Sequence, residues 1–402
     1  MTLSQQFTAI AKLLREHQYL HEQELLKRQP APLPDPYQDW QKEISSWNDN
    51  DIAQFEYKLS ADKIQSTDFS DFTNTIKSLS WVKQVAITPN KLSANVKRGM
   101  TPKKVHEIEF ISHLFDQKIN TPNIIDIGSG KGLLSAALTH QHPRQSICID
   151  MDQQLQIQGK KRLKKWLPDT LSKIQFIHQK IDKNKGIPAP SGETTLIGLH
   201  ACGNLSSQII QQAVNQKMTH IINFGCCYHH IRDDYNLSIH GKQQNLWFSH
   251  EALHLAAHAH RLIDANTIQK RTAVKRYRYA LHLFLTEHYH LPFQKVGDGK
   301  TADYQRSFAT YAKKFAPQLQ GVSDGTLDRY FNQKSTQTTI QDVLSADSIR
   351  NVLGRLIELY IVLDRCLYLE EKGYEVTLHS CFDRRISPRN LGIIANKKAP
   401  EK

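Results

Sequence analysis

The ten residues from Asn123 to Gly132, Asn-Ile-Ile-Asp-Ile-Gly-Ser-Gly-Lys-Gly, constrain this chain more than any other stretch. An apolar run leads into Asp126, and Gly128, Gly130 and Gly132 follow at spacing two. Leu133 to His140 then reads as a helix. Glycine allows a tight turn and lets the backbone approach a ligand closely. The helix N-terminus offers unpaired N–H groups to that ligand. A dinucleotide site has G-x-G-x-x-G. Here the third glycine comes one residue early, and Leu133 stands where that pattern needs glycine. The competing reading is a plain glycine turn in some other α/β protein.

The following strands sharpen the reading. Ser146 to Asp150 is a short apolar run ending in an acid. Asp150 lies about 20 residues past the glycines, the spacing at which an acid reaches a ribose hydroxyl pair. Asp152 is the neighbouring candidate. Ile174 to His178 is a third run, and it leads to Asp182, which could accept from an adenine amino group. Each acid could instead be a loop-capping Asp. The D-x-G-x-G-x-G form resembles the S-adenosylmethionine (SAM) loop of class I methyltransferases. That resemblance implies SAM as cofactor, held by Asp126, Gly128, Ser129, Gly130, Gly132, Asp150 and Asp182, with His200 beside them.

The chain has 402 residues, enough for one large domain or two to three smaller ones. Its apolar stretches are too short for a membrane span, and no basic-then-apolar start suggests export. The six cysteines are sparse and lack an extracellular framework spacing, which fits a cytoplasmic protein. A net charge of +13 favours an anionic partner.

Residues 1–95 read as a helical N-terminal region, with Phe7, Ile10, Leu13 and Leu14 at helical spacing. Four prolines between Gln29 and Pro36 break the pattern, and Trp40, Ile44 and Trp47 begin a second amphipathic helix. A helix also precedes the glycine turn. Thr101 can cap it and Pro102 suits its first position. Lys103 and Lys104 follow where the helix dipole disfavours cations. An anion nearby, such as an acidic substrate or the SAM carboxylate, would offset that, and solvated lysines are the alternative.

Thr194 to Leu199 and His220 to Phe224 read as fourth and fifth strands, with a helix from Ser206 to about Gln216 between them. His200-Ala-Cys-Gly-Asn-Leu205 ends the fourth strand and Gly225-Cys-Cys-Tyr-His-His230 ends the fifth. In open parallel sheets ligands bind at the carboxyl ends of strands, so both His/Cys clusters fall on that rim. A long helix over Ala346 to Lys372 is stopped by Gly373. Tyr374 to Phe382 and Asn390 to Asn396 complete seven strands. The expected domains are the helical region, a catalytic first part at 96–240, a basic helical insertion at 241–339 and a closing helix and strand pair at 340–398. Residues 240–335 carry 14 Lys and Arg against 7 Asp and Glu. Lys270, Arg271, Lys275 and Arg276, interleaved with aromatics, suit phosphate contact and stacking, with a solvated helix face as the alternative. His250, His254 and His258 share one helix face, but no thiol or carboxylate partner is evident.

Four blocks resemble the family of methyltransferase-like protein twenty-five, also labelled "ribosomal RNA adenine dimethylase domain-containing". They are Met100-Thr-Pro-Lys-Lys-Val-His-Glu107, Gly198-Leu-His-Ala-Cys-Gly-Asn-Leu205, Gly225-Cys-Cys-Tyr-His229 and Phe382-Asp-Arg-Arg-Ile-Ser-Pro-Arg-Asn390. Asn204 departs from that family's usual Asp. The H-x-C-G and C-C-x-H pair is also locally similar to a eukaryotic family that methylates tRNA ribose 2′-hydroxyls. These resemblances imply SAM dependence, a Rossmann-like seven-stranded class I fold and a helical insertion.

An acceptor hydroxyl, thiol or protonated amine must lose a proton during methyl transfer. His229 is the first candidate base and His200 the second, since imidazole exchanges protons near neutral pH. Tyr228 could stack on the acceptor. Cys202, Cys226 and Cys227 read as dense packing near the cofactor, as substrate contacts, or as a metal site. Adjacent cysteines lack C-x-x-C spacing, so no metal is expected. Three functions compete. The first is a methyltransferase of tRNA or rRNA, using the basic insertion. The second acts on a small acidic metabolite or thiol, its carboxylates held by Lys103, Lys104 and Arg389; Asn204 is a further substrate-binding candidate under any of these readings. The third is a SAM-binding module without catalysis.

Overall fold

The structure is a computed structural model. It describes residues 1–22, 33–85, 87, 91–182, 186–188, 190–232, 235–259, 265–292 and 299–399. The first part of the proline-rich break at 29–36 lies outside the described residues. Seven strands form one sheet: β1 Asn123–Ile127, β2 Gln145–Asp150, β3 Ile174–His178, β4 Thr194–Cys202, β5 His220–Cys226, β6 Tyr374–Ser380 and β7 Leu391–Lys397. Their spatial order is β3-β2-β1-β4-β5-β7-β6. The first five are parallel, and β7 runs antiparallel to both β5 and β6. β1 and β4 are buried almost throughout because helices cover both faces of a parallel sheet. The order reverses between β1 and β4, which opens a crevice at their carboxyl ends.

The chain divides into two compact units. One comprises Met1–His17, Leu79–Arg261 and Gly354–Lys402, and the other Gln18–Ser78 and Leu262–Leu353. The first unit contains the sheet. Its core gathers Ile111, Phe115, Leu134, Leu138, Cys148, Ile197, Phe224 and Phe382. Helix Leu3–Glu16 packs Phe7 against Tyr360 of helix Gly354–Glu371, ring centroids 4.6 Å apart. The second unit is helical. Tyr279, Phe284, Phe308, Leu319 and Ile340 belong to its own core. Residues 18–78 join this unit from far along the chain, with Gln41 Nε2 donating to the Asp342 carbonyl at 3.0 Å, a grouping no local sequence signal reveals. Among the described residues, no helix is long and apolar enough to cross a membrane.

Local expectations meet two outcomes. Thr101 caps helix Pro102–Lys118 by accepting from the Lys104 N–H, with Pro102 in the first turn. The single helix expected over Ala346 to Lys372 is instead two, Lys334–Asn351 and Gly354–Glu371. Val352 and Leu353 form a turn between them, and Gly354 opens the second helix where a Cβ would meet the Leu255 carbonyl oxygen at 2.6 Å, an approach that glycine permits.

One buried carboxylate joins the elements that frame the crevice. Glu107, in helix Pro102–Lys118, is wholly shielded from solvent. Both its oxygens lie 3.0 Å from His200 Nε2 at the end of β4. Ser387 Oγ, in the loop between β6 and β7, donates to it at 2.7 Å. Lys104 Nζ and Lys103 Nζ approach to 3.1 and 3.6 Å. Next to it, His106 Nε2 accepts from the Asp383 N–H at 3.1 Å. Burial opposes ionisation of Glu107, but the His200 hydrogen bond and charge, with Lys104 and Ser387, outweigh it and hold the pKa at about 2.

Two predictions follow from this geometry. Removing one partner of a buried ionic network costs about 3–5 kcal/mol, so Glu107→Ala should lose that much in urea unfolding. Because Glu107 is more acidic folded than unfolded, its contribution is complete above pH 4.5 and disappears as pH falls toward 2. That window accounts for roughly 3 kcal/mol, which the wild type should lose and Glu107→Ala should not. Gly159, in helix Gln153–Trp166, packs on the glycine turn, and a Cβ there would lie 2.5 Å from the Lys131 carbonyl oxygen. Gly159→Ala should therefore cost about 1–3 kcal/mol, read as a lowered Tm, and an unchanged Tm would refute the close packing.

Candidate functional site

The glycine turn sits where the sheet order reverses. Gly128, Gly130 and Gly132 have φ of 69°, 54° and 65°, a region that favours glycine. A Cβ on Gly132 would also meet the Phe176 ring at 3.0 Å. The turn is tied to β2: Asp150 Oδ2 accepts from the Gly130 N–H at 2.6 Å, and the Ile149 carbonyl accepts from the Gly128 N–H at 2.9 Å. Asp150 Oδ1 accepts from the Asp152 N–H. Each oxygen retains acceptor capacity, so Asp150 can receive a ribose hydroxyl pair while bracing the turn.

Asp126 is buried in β1 and accepts from Ser135 Oγ at 2.9 Å. Burial pushes its carboxyl up to about 7, against the Ser135 hydrogen bond and the nearby Lys104 charge. A carboxyl so placed gains by meeting a ligand cation, such as an ammonium or sulfonium. Asp182 follows β3, and its carbonyl accepts from Gln212 Nε2 at 3.1 Å. Asp152, the neighbouring acid candidate, is a helix cap: Oδ1 accepts from the Leu155 N–H. Met151 belongs to none of the sequence motifs. It is 67 % exposed beside Asp150, and an exposed thioether at that edge suits the face of a purine. The signal was an apolar residue placed directly after the strand-ending acid. These residues fit SAM.

β4 and β5 bring the two His/Cys clusters together. Cys202 and Cys226 end those strands in direct register, and their sulfurs are 3.2 Å apart. The sulfurs of Cys202, Cys226 and Cys227 all lie within 4.8 Å of one another. The backbone here is unusual. His200 (φ 115°) and Cys227 (φ 50°) hold positive φ without being glycine, a cost that persists only where surroundings enforce it. A hydrogen bond to Cys226, assisted by Cys227, His200 and His230, lowers the Cys202 thiol to about 6 against its burial. Cys226 is pushed far up by its bond to Cys202 and by burial, and Cys227 is raised by burial and the same neighbours. The turn after β4 also touches the cofactor turn, with Leu205 Cδ2 3.6 Å from where a Cβ of Gly128 would sit.

His229 faces helix His250–His258. Its ring centroid is 4.1 Å from that of His230, 4.6 Å from His254 and 6.5 Å from both His250 and His258. The helical histidine trio thus meets two more histidines from the turn after β5. Burial, then His230, His258 and His250, hold the His229 pKa below 6.5. Its Nδ1 is buried without a hydrogen-bond partner among the described residues. A neutral imidazole with an unspent nitrogen can accept a proton.

Several expected substrate contacts are committed elsewhere. Tyr228 is 1 % exposed, its hydroxyl donating to the Gly225 carbonyl at 3.2 Å. The left-handed Cys227 turns it into the protein, so it does not stack on an acceptor at the rim. Arg389 donates from Nη1 to the Ala256 carbonyl at 2.5 Å, from Nη2 to the Ala259 carbonyl, and pairs with buried Glu358 at 3.2 Å. It closes the end of helix His250–His258 instead of holding a substrate carboxylate. Lys103 and Lys104 face Glu107, the anion that offsets the helix dipole. Asn204 Oδ1 accepts from the Arg232 N–H at 2.9 Å. An Asp oxygen would accept the same bond, so the departure from Asp leaves this contact intact.

Lys270, Arg271, Lys275 and Arg276 belong to the second unit. Lys275 pairs with Asp347 at 2.9 Å and Glu56 at 3.6 Å, and Arg276 with Asp49 at 2.7 Å. Arg271 Nη1 reaches the Tyr57 hydroxyl at 3.4 Å, and Lys270 is exposed. The density of this basic run therefore serves internal pairing as well, with acids distant in sequence.

Residues 103–234 match a family model described as a methyltransferase domain. Two relatives named "Probable methyltransferase-like protein 25" are similar. The one from Mus musculus is 24% identical over 225 residues, and the one from Homo sapiens 23% over 224. Each match covers 50% of this chain and 37% of the relative, so this chain spans little more than a third of their length. Two solved structures are also similar. The plantazolicin methyltransferase BpumL in complex with SAH is 18% identical, covering 56% of this chain and 77% of that one, with a TM-score of 0.23. Coclaurine N-methyltransferase bound to N-methylheliamine and SAH is 8% identical, covering 99% and 95%, with a TM-score of 0.28. The matched segment, about a third of the chain, begins in the helix that precedes the glycine turn and ends just past the His229 turn, and there the chain is similar to a methyltransferase domain.

Proposed function

We propose that this protein transfers the methyl group of SAM to RNA, either tRNA or rRNA, with His229 receiving the acceptor's proton. SAM supplies an electrophilic methyl group on a sulfonium. The chain supplies position and proton management. Asp150 and Met151 take the nucleoside end, the glycine turn admits the backbone of the ligand closely, and Asp126 faces its cationic part. His229 stands at the carboxyl end of β5, neutral at physiological pH, with an unpartnered nitrogen.

One observation supports a polyanionic acceptor. Lys160, Lys161, Lys164 and Lys165 are all exposed on helix Gln153–Trp166, which follows the ribose-binding acid directly. These lysines sit in the methyltransferase unit itself and are independent of the 270–278 run. Phosphates neutralised by such a row release counterions, which makes binding strongly salt-dependent. The competing acceptor, a small acid or thiol, is favoured by the exposed thiol of Cys202 at the same rim.

His229→Ala should lower kcat by about 10²-fold while leaving SAH affinity, measured by calorimetry, unchanged. In the wild type, activity should fall as pH drops below the depressed His229 pKa, under 6.5, because protonation removes the acceptor lone pair. Unchanged turnover in His229→Ala would remove it from the chemistry. The acceptor is tested by tritium transfer from labelled SAM into extract of cells lacking this gene, split into RNA, protein and small molecules. Label in RNA that vanishes with RNase is the expected result, with affinity that weakens steeply with salt and on Lys160, Lys161, Lys164 and Lys165→Glu. Label confined to small molecules would overturn the RNA assignment.

A further inference from the structure

The geometry points to a thiolate metal site: Cys202, Cys226 and Cys227 together hold one zinc-class d10 cation at the carboxyl ends of β4 and β5. This inference is independent of which acceptor is methylated. Three features carry it.

The first is convergence. Cys202 and Cys226 are register partners on adjacent parallel strands. In an extended strand the next residue would point to the opposite face. Cys227 instead adopts φ 50° and ψ 48°, which ends the alternation and returns its sulfur to the same side. Three sulfurs from two separate sequence motifs end within 4.8 Å of one another. Three ligands at a Zn–S length of about 2.3 Å on tetrahedral vertices lie roughly 3.8 Å apart. The 3.2 Å between Cys202 and Cys226 needs only a sub-ångström opening to reach that spacing. The missing C-x-x-C spacing is immaterial here, because the third thiol comes from the other strand.

The second is charge. Arg365 is 1 % exposed and faces the Tyr228 ring at 5.9 Å, and among the described residues none of its three guanidinium nitrogens has a hydrogen-bond partner. Its Nη1 lies 2.8 Å from where a Cβ of Gly225, the residue before Cys226, would sit. The neighbouring Asp364 spends its carboxylate on the Leu237 and Ser238 N–H groups and on Ser238 Oγ. A buried cation with no hydrogen-bonded anion is costly. Three thiolates around a divalent cation carry one net negative charge, which is what this guanidinium lacks.

The third is access. Cys226 is buried, Cys227 half-buried and Cys202 exposed. The cation therefore enters from the side of Cys202. Three protein ligands leave a fourth tetrahedral position on that side, the arrangement of zinc sites that bind an exchangeable ligand. Soft thiolates select zinc and related d10 ions over magnesium or calcium.

The test uses the full chain produced in zinc-supplemented medium and desalted. Mass spectrometry of metals should find one zinc per chain in the wild type and in Cys366→Ala, and a loss in Cys202→Ser and Cys227→Ser. Replacing zinc with cobalt(II) should produce a thiolate-to-cobalt charge-transfer band in the wild type that Cys202→Ser lacks. Where a serine variant fails to fold, alkylation of the wild type decides: added zinc should protect three thiols against iodoacetamide, and a chelator should release them. Wild type without bound zinc and without protection overturns the proposal. So does an intact mass two hydrogens low with Cys202 and Cys226 recovered in one cross-linked peptide, which would make the pair a disulfide.

Discussion

The carboxylate of Glu107 is the interaction on which the rest of the site depends. Placing an ionised carboxylate where solvent cannot reach it is costly unless it is fully paired. Here it is answered by His200, Ser387, Lys104 and Lys103 together. Those partners come from the helix before β1, the end of β4 and the loop between β6 and β7. Glu107 thereby clamps the closing strand pair and the β4 terminus to the helix that opens the domain. The clamp also explains the backbone of His200. Its φ of 115° is unfavourable for an L-residue, and a bidentate approach to a fixed carboxylate is the kind of constraint that maintains it.

Much of the fold is legible in the sequence. The five parallel strands stand out as apolar runs ended by acids, glycines or His/Cys clusters. The glycine turn, the Thr101 cap and the Gly373 stop are read from residue types whose conformational preferences act locally. The partners of single polar side chains are another matter. Arg389 looks available until helix His250–His258 ends against it, and Lys275 looks like a phosphate ligand until Glu56 and Asp347 surround it. Tyr228 looks like a rim residue until Cys227 turns the chain inward. Each of these depends on contacts 72 or more residues away or on one left-handed backbone position. The pairing of segment 18–78 with segment 262–353 is likewise invisible locally.

The rim combines residues whose environments push their proton affinities apart. Asp126 is raised by burial, Glu107 is lowered by its partners, and His229 is kept neutral by burial among other histidines. Such divergence lets neutral and ionised groups stand side by side along one sheet edge at a single pH. The clustered sulfurs beside Arg365 extend the same logic. The proposed thiolate site would set a net negative charge beside a buried guanidinium whose nitrogens have no hydrogen-bond partner among the described residues.

Hydrogen exchange of the full chain, with and without SAH and read by mass spectrometry, tests the central claim most directly. The account predicts slowed exchange in peptides covering 126–132, 150–152 and 200–205, which line the crevice where the strand order reverses. Protection confined to other segments, or no protection at saturating SAH, would contradict it.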